Sequence, residues 1–174
     1  FISLIGLLGN AQSDFCTSAT VLSSCTISSG SNIGATANTA TDDSFAPVDI
    51  CSISVENTVW YSYTAATAGA HDVTVTLGPC TPFDSGLQGG ILVGPCGGPY
   101  TGLGCSFFGA NATTTLNVNL TAGQQVYLVL DGDGGDECAS IDVGICPSVT
   151  ACTEPDVPVV SYGPAIICDG NSTV

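Results

Sequence analysis

The sequence predicts an all-β fold, an antiparallel sandwich or barrel stapled by disulfides. Three observations carry this. Segments of period-two alternation recur at intervals of roughly 8–12 residues, as in stacked antiparallel strands. Good helix formers are scarce, with no Lys, Arg or Met, while Val, Thr and Ser abound. Ten cysteines stand at wide spacings without a C-x-x-C pair.

The elements follow in order. Residues 59–64 (VWYSYT) read as an aromatic strand. Alternation puts Val59, Tyr61 and Tyr63 on one face, which reads as core, and Trp60 and Ser62 on the other. Residues 72–77 (DVTVTL) alternate with Val73, Val75 and Leu77 inward. Residues 87–93 carry a run loosened by Gly89-Gly90, and 115–120 set Leu116, Val118 and Leu120 against Asn117 and Asn119. The run 125–130 (QVYLVL) is continuously apolar and so reads as a central strand. Residues 139–145 alternate Ile141, Val143 and Ile145. Segments 63–71 and 119–125 read as hairpin links whose Ala-Gly steps tolerate positive φ. No window gives an amphipathic helix.

Charge excludes whole function classes. Fifteen acids, one histidine (His71) and no Lys or Arg give a formal charge of −15. Nothing is present to neutralise phosphates, so electrostatic nucleic-acid binding has no source. Anionic-lipid binding, P-loop chemistry and arginine-finger catalysis fail for the same reason. The acids must be solvated, bonded to backbone or neutralised by a metal ion.

The cysteine count and spacing read as disulfides, hence an oxidising compartment, and the lone histidine leaves zinc without a ligand set. Residues 1–8 (FISLIGLL) followed by Gly-Asn-Ala read as a signal-peptide remnant over 1–12, too short to span a membrane. A sandwich over 13–147, a Pro-rich linker over 148–164 and the start of a truncated β-module over 165–174 complete the expected layout. The expected localisation is secreted or cell-surface, without membrane insertion.

Several motifs in order carry a resemblance. They are Asp14-Phe15-Cys16 with Ala19 and Val21-Leu22, then Gly34-Ala35-Thr36-Ala37 ahead of Cys51. Val59-Trp60-Tyr61-Ser62-Tyr63, Ala68-Gly69 with Val73-Thr74-Val75, and Phe83-Asp84-Ser85 with Leu87 and Ile91-Leu92-Val93 follow. Cys96 with Cys105, and the run from Leu120 to Gly132, complete the set. Together they resemble the pre-peptidase C-terminal-like and CUB-like β-sandwich domains of bacterial secreted and cell-surface proteins. The tail resembles the opening of an Ig-like or PKD-like module. The resemblance implies a jelly-roll-like sandwich of about eight or nine strands and a non-catalytic, structural or adhesive role beside other domains of the same protein. One departure is Phe107-Phe108-Gly109-Ala110-Asn111, where many members carry Asn-Asp-Asp.

Candidate sites are few. His71, beside a strand start, is the one possible imidazole base and reads as a solvated or cross-strand residue. No G-x-S-x-G occurs, and the acid pairs lie in loops without an apolar pocket. Asp131, Asp133, Asp136 and Glu137 place four carboxylates within seven residues. That composition suits a weak calcium site, but the spacing departs from an EF-hand, and a solvated turn is the simpler reading. Asp42, Asp43, Glu56 and Asp84 are a second possible cation group. Trp60 is either covered by a loop or an exposed platform for a sugar, and the covered reading is favoured. The exposed one gives the alternative function, a carbohydrate-binding module assisted by calcium. A further alternative is an accessory domain of a secreted hydrolase. Glycans or cell-surface components are the external partners these readings imply. For the disulfides, Cys96–Cys105 closes a short Gly-rich loop and Cys16–Cys146 joins the first and last strands. Cys25–Cys51 and Cys80–Cys138 follow, with other connectivities equally legal. The sequons at Asn111, Asn119 and Asn171 read as chance.

Overall fold

Period-two alternation resolves into eleven strands. The computed structural model describes residues 13–37 and 45–148. The segments 1–12 and 165–174, nearly all of the 148–164 linker, and Asp42, Asp43, Cys152, Cys168 and Asn171 lie outside the described residues. The strands are β1 (Thr20–Val21), β2 (Ser28–Gly30), β3 (Val59–Thr64), β4 (Gly69–Leu77), β5 (Cys80–Thr81), β6 (Gly86–Val93), β7 (Thr101–Gly109), β8 (Thr113–Leu120), β9 (Gln125–Gly132), β10 (Glu137–Cys138) and β11 (Ile141–Pro147). Three short 3₁₀ turns, Cys16–Ser18, Pro47–Ile50 and Asp133–Gly135, are the helical elements among the described residues.

One sheet has the order β1-β3-β9-β6-β7, the other β2-β11-β4-β8, and β5 and β10 form a separate ribbon. All pairings are antiparallel except the short β1–β3 contact. The fold is thus an all-β, jelly-roll-like sandwich. Its main core lies between the sheets. Val59, Tyr61 and Tyr63 of β3 and Val126, Leu128 and Leu130 of β9 meet Val73, Val75 and Leu77 of β4 and Ile141, Val143 and Ile145 of β11. The alternation read from sequence assigns the inward residues of β3, β4 and β11 correctly; for β9 the sequence offered only a continuous apolar run.

The five-stranded sheet is covered on its outer face as well. Trp60, Leu92, Tyr127 and Val129 pack there beneath Phe45, Ile50, Tyr100 and Cys16. This explains why β9 is apolar throughout: a strand buried on both faces has no polar side to show. Gly89-Gly90 does not loosen β6. A Cβ at Gly90 would collide with the Asp49 carbonyl, so glycine here is the seat on which the Pro47–Ile50 turn rests.

Strand β7 was not legible in the sequence, where 97–105 reads as a Gly-rich loop. Gly102 and Gly104 interrupt its alternation, yet its register with β6 runs from Gly86↔Gly109 to Val93↔Thr101. The hairpin links are shorter than expected, because β4 begins at Gly69 and β9 at Gln125.

The disulfides correct three expected pairs. The bridges are Cys16–Cys96, Cys25–Cys146, Cys51–Cys105 and Cys80–Cys138. Only Cys80–Cys138 stands as expected; it joins residues paired across the β5–β10 ribbon. Cys96 and Cys105 do not pair. Cys105 lies in β7 opposite Gly90, beneath the Pro47–Ile50 turn that ends at Cys51, whereas Cys96 packs with Cys16 in the outer layer. Cys146 takes Cys25 instead of Cys16, because the Cys25 N–H donates to the Ile145 carbonyl at 2.8 Å and sets the 22–27 loop beside β11.

Candidate functional site

The acidic segment that closes β9 and leads into β10 turns two of its four carboxylates, Asp131 and Asp136, inward. Asp131 is fully buried. Its Oδ1 accepts the N–H groups of Glu56 and Asn57, each at 2.9 Å, and Gln88 Nε2 stands 3.5 Å from Oδ2. Burial pushes its carboxyl up to about 6, aided by the Glu56 carboxyl beside it and opposed by the two amide bonds. Asp136 is also fully buried. Its Oδ1 accepts Phe83 N–H at 2.7 Å, and Oδ2 accepts Ser85 and Gly86 N–H at 2.6 and 3.1 Å. Its carbonyl accepts Asn32 Nδ2 and Asn57 Nδ2 at 2.9 and 3.0 Å. Glu137 turns elsewhere and accepts Gly34 N–H at 2.9 Å. Asp133 begins the 3₁₀ turn.

The four carboxylates therefore diverge. Among the described residues no group of three or more His, Cys, Asp or Glu is placed to hold a metal ion. The expected calcium set does not fit this geometry, and the reason is physical: in a chain without Lys or Arg, buried backbone amides take the carboxylates. The solvated-turn reading is corrected as well, since Asp131 and Asp136 are in the interior. Of the second group, Glu56 stands against Asp131. Asp84 accepts the Cys80 N–H at 3.1 Å and Asn111 Nδ2 at 3.2 Å.

Trp60 has no exposed surface. Phe45 and Tyr127 meet its ring edge-on at 5.7 and 5.9 Å, and Tyr100 lies tilted at 5.7 Å. An indole so enclosed offers no face to a sugar, so the platform reading of Trp60 is corrected; the covered reading holds.

His71 is not a solvated edge residue. It lies within β4 and is fully buried. Its Nδ1 stands 3.0 Å from the Gly69 carbonyl, and Tyr63 packs edge-on at 5.9 Å. Its Nε2 has no hydrogen-bond partner. The neighbouring Asp72 belongs to the opposite, solvated face of β4. There, hydrogen bonds from Asn117 and Ser148 hold its carboxyl below the usual range. No nucleophile–base–orienter arrangement is present at His71.

A feature the sequence did not single out is a surface cleft of about 230 Å³. Ser13, Asp14, Phe15 and Ser18 form one wall, and Ser31, Ile33, Gly34 and Ala35 the other. Phe15 is 43% exposed. Thr36 Oγ1 donates to Asp14 Oδ2 at 3.1 Å and joins the walls. Exposed aromatic surface beside hydroxyls and one carboxylate is a pairing suited to neutral, hydroxyl-rich ligands. Its sequence trace was Asp14-Phe15, which reads there only as part of a fold motif.

No family model and no curated protein matches the sequence. Similar solved structures include the pre-peptidase C-terminal domain of a collagenase from Bacillus anthracis. That likeness is 16% identical, covers 73% of this chain and 93% of that one, and has a TM-score of 0.43. A family 35 carbohydrate-binding module from an environmental isolate is 20% identical over 56% of this chain and 74% of its own, at a TM-score of 0.36. A CBM36-1 domain of a multidomain xylanase from the hindgut metagenome of Trinervitermes trinervoides is 16% identical over 68% and 97%, also at 0.36.

Proposed function

We propose that this chain is a non-catalytic structural module of a secreted or cell-surface multidomain protein, its sandwich spanning residues 13–147 and followed by a linker to a further domain. The observation that carries the reading is the commitment of chemically capable groups to the fold. His71 is sealed in the core, Asp131 and Asp136 accept backbone amides, and the eight cysteines among the described residues form four bridges. Such a module supports neighbouring domains in an oxidising exterior, where each bridge contributes about 2–5 kcal/mol, more for a longer loop. The absence of Lys and Arg removes every tryptic cleavage site.

A second reading, a carbohydrate-binding module, rests on the Phe15 cleft in place of Trp60. One experiment separates the two. The oxidised chain and its Phe15→Ala variant are titrated calorimetrically with soluble oligosaccharides at millimolar concentration and run against immobilised polysaccharides. The structural reading expects no heat and no retention for either protein. Retention by the parent that the variant loses would replace it with the second reading.

A further inference from the structure

Buried Asp131 adjoins half-buried Glu56, and no cation stands among the described residues to balance the two carboxyls. Asp131 lies on β9 in the middle of the five-stranded sheet, fully buried. The Glu56 N–H donates to Asp131 Oδ1 at 2.9 Å, which sets the Glu56 side chain, from the segment entering β3, beside that carboxyl. Glu56 Oε2 is buried and finds no donor. Two ionised carboxylates bond one another only through a shared proton. Every other group facing Asp131 is neutral: Gln88 from β6, and the amides of Glu56 and Asn57 from the β3 side. Asp136, the next acid to turn inward, points its carboxylate away, at Phe83, Ser85 and Gly86. No Lys or Arg exists anywhere in the chain to intervene.

We propose that Asp131 and Glu56 share one proton in the native module. The bridged pair pins the segment before β3 to the centre of the sheet and makes the module more stable in mild acid than at neutral pH. The sign follows from linkage. An unfolded aspartate titrates near 3.9, whereas burial holds Asp131 up to about 6. The folded chain therefore keeps a proton that the unfolded chain has released. The contribution is full below about pH 4 and is lost as pH rises through about 6. His71 does not share this environment. It packs on Tyr63, which pairs with Val126, five residues along β9 from Asp131, or about 17 Å at strand rise.

The test is the thermal midpoint of the full chain from pH 5 to 7.5, with chelator and with millimolar calcium. The midpoint of the parent in chelator falls by about 5 °C across that window. Asp131→Asn, which still offers an oxygen to both amides, flattens the fall. Glu56→Gln, which removes only the partner's charge, reduces it. Reading parent against variant cancels the other titrating groups. A parent midpoint that is flat or rises, or an Asp131→Asn profile that keeps the full drop, overturns the proposal. So does calcium that restores the neutral-pH midpoint, because a cation then does what is assigned to the proton. If Asp131→Asn fails to fold, Glu56→Gln and a carboxyl-carbon NMR titration of Asp131 decide: a midpoint near 6 supports the pair, and one below 4.5 refutes it.

Discussion

Replacing Cys25 and Cys146 together by alanine lowers the unfolding free energy by about 5 kcal/mol, as read from urea midpoints. This bridge closes the longest loop of the four, with a sequence separation of 121 against 80, 58 and 54. Confining so long a loop removes the most freedom from the unfolded chain, in the entropic account of cross-links. The site is also a clean one for that account. Cys25 is exposed and Cys146 only half-buried, so the double variant opens no core cavity. A thermal midpoint lower by about 15 °C is expected. A loss under 1 kcal/mol would mean that the loop from 22 to 27 is held to β11 by its other contacts, chiefly the Cys25 N–H to Ile145 bond.

Asp136→Ala should cost about 3–5 kcal/mol, although it deletes only a small side chain. Its carboxylate is the acceptor for three amides, those of Phe83, Ser85 and Gly86, in the turn that leads into β6. With the acceptor gone, each amide loses a charge-assisted bond inside a region that excludes water, at about 1–3 kcal/mol per orphaned group. The neighbouring Cys80–Cys138 bridge keeps the β5–β10 ribbon in register, so the variant remains foldable and measurable. Asp136→Asn, which keeps one oxygen, should lose about half as much. Chemical denaturation of the three proteins reads the series. A loss below 1 kcal/mol for the alanine variant would show that water reaches these amides freely.

How far the sequence reaches can be judged from particular residues. The inward sets of β4, β8 and β11 follow from alternation, because their sheet has one apolar face, and β3 is read from its aromatic alternation, whereas β9, buried on both faces, shows only a continuous apolar run. The outer layer over Trp60 is different. Its cover comes from Phe45, the Pro47–Ile50 turn and Tyr100, residues distant in sequence and without period, so the family resemblance of the aromatic strand favours a covered ring but no local pattern identifies what covers it. Strand β7 hides for a related reason. Its Gly102 answers to Asp49 crossing above it, not to strand propensity.

The candidate sites were less legible than the fold. Asp131 and Asp136 look like a loop cluster in sequence, and their direction is set by amides of the 56–57 and 83–86 segments, fifty or more residues away. Their clustering reflects closure of one end of the sandwich. The cysteine pairing failed similarly. Three of the four bridges depend on where the covering turn and the 22–27 loop lie, whereas Cys80–Cys138 joins cross-strand neighbours. The Phe15 cleft draws its walls from two separate turns, 13–18 and 31–35, which no linear motif connects.

The most direct test of a stapled, chemically quiet sandwich is a disulfide map of the native chain after alkylation of any free thiol. Trypsin has no site here, so the map is made with pepsin, in acid that also suppresses thiol exchange. Linked peptides joining Cys16 to Cys96, Cys25 to Cys146, Cys51 to Cys105 and Cys80 to Cys138 are predicted. A peptide joining Cys96 to Cys105, or alkylation at any of these eight positions, would contradict the account.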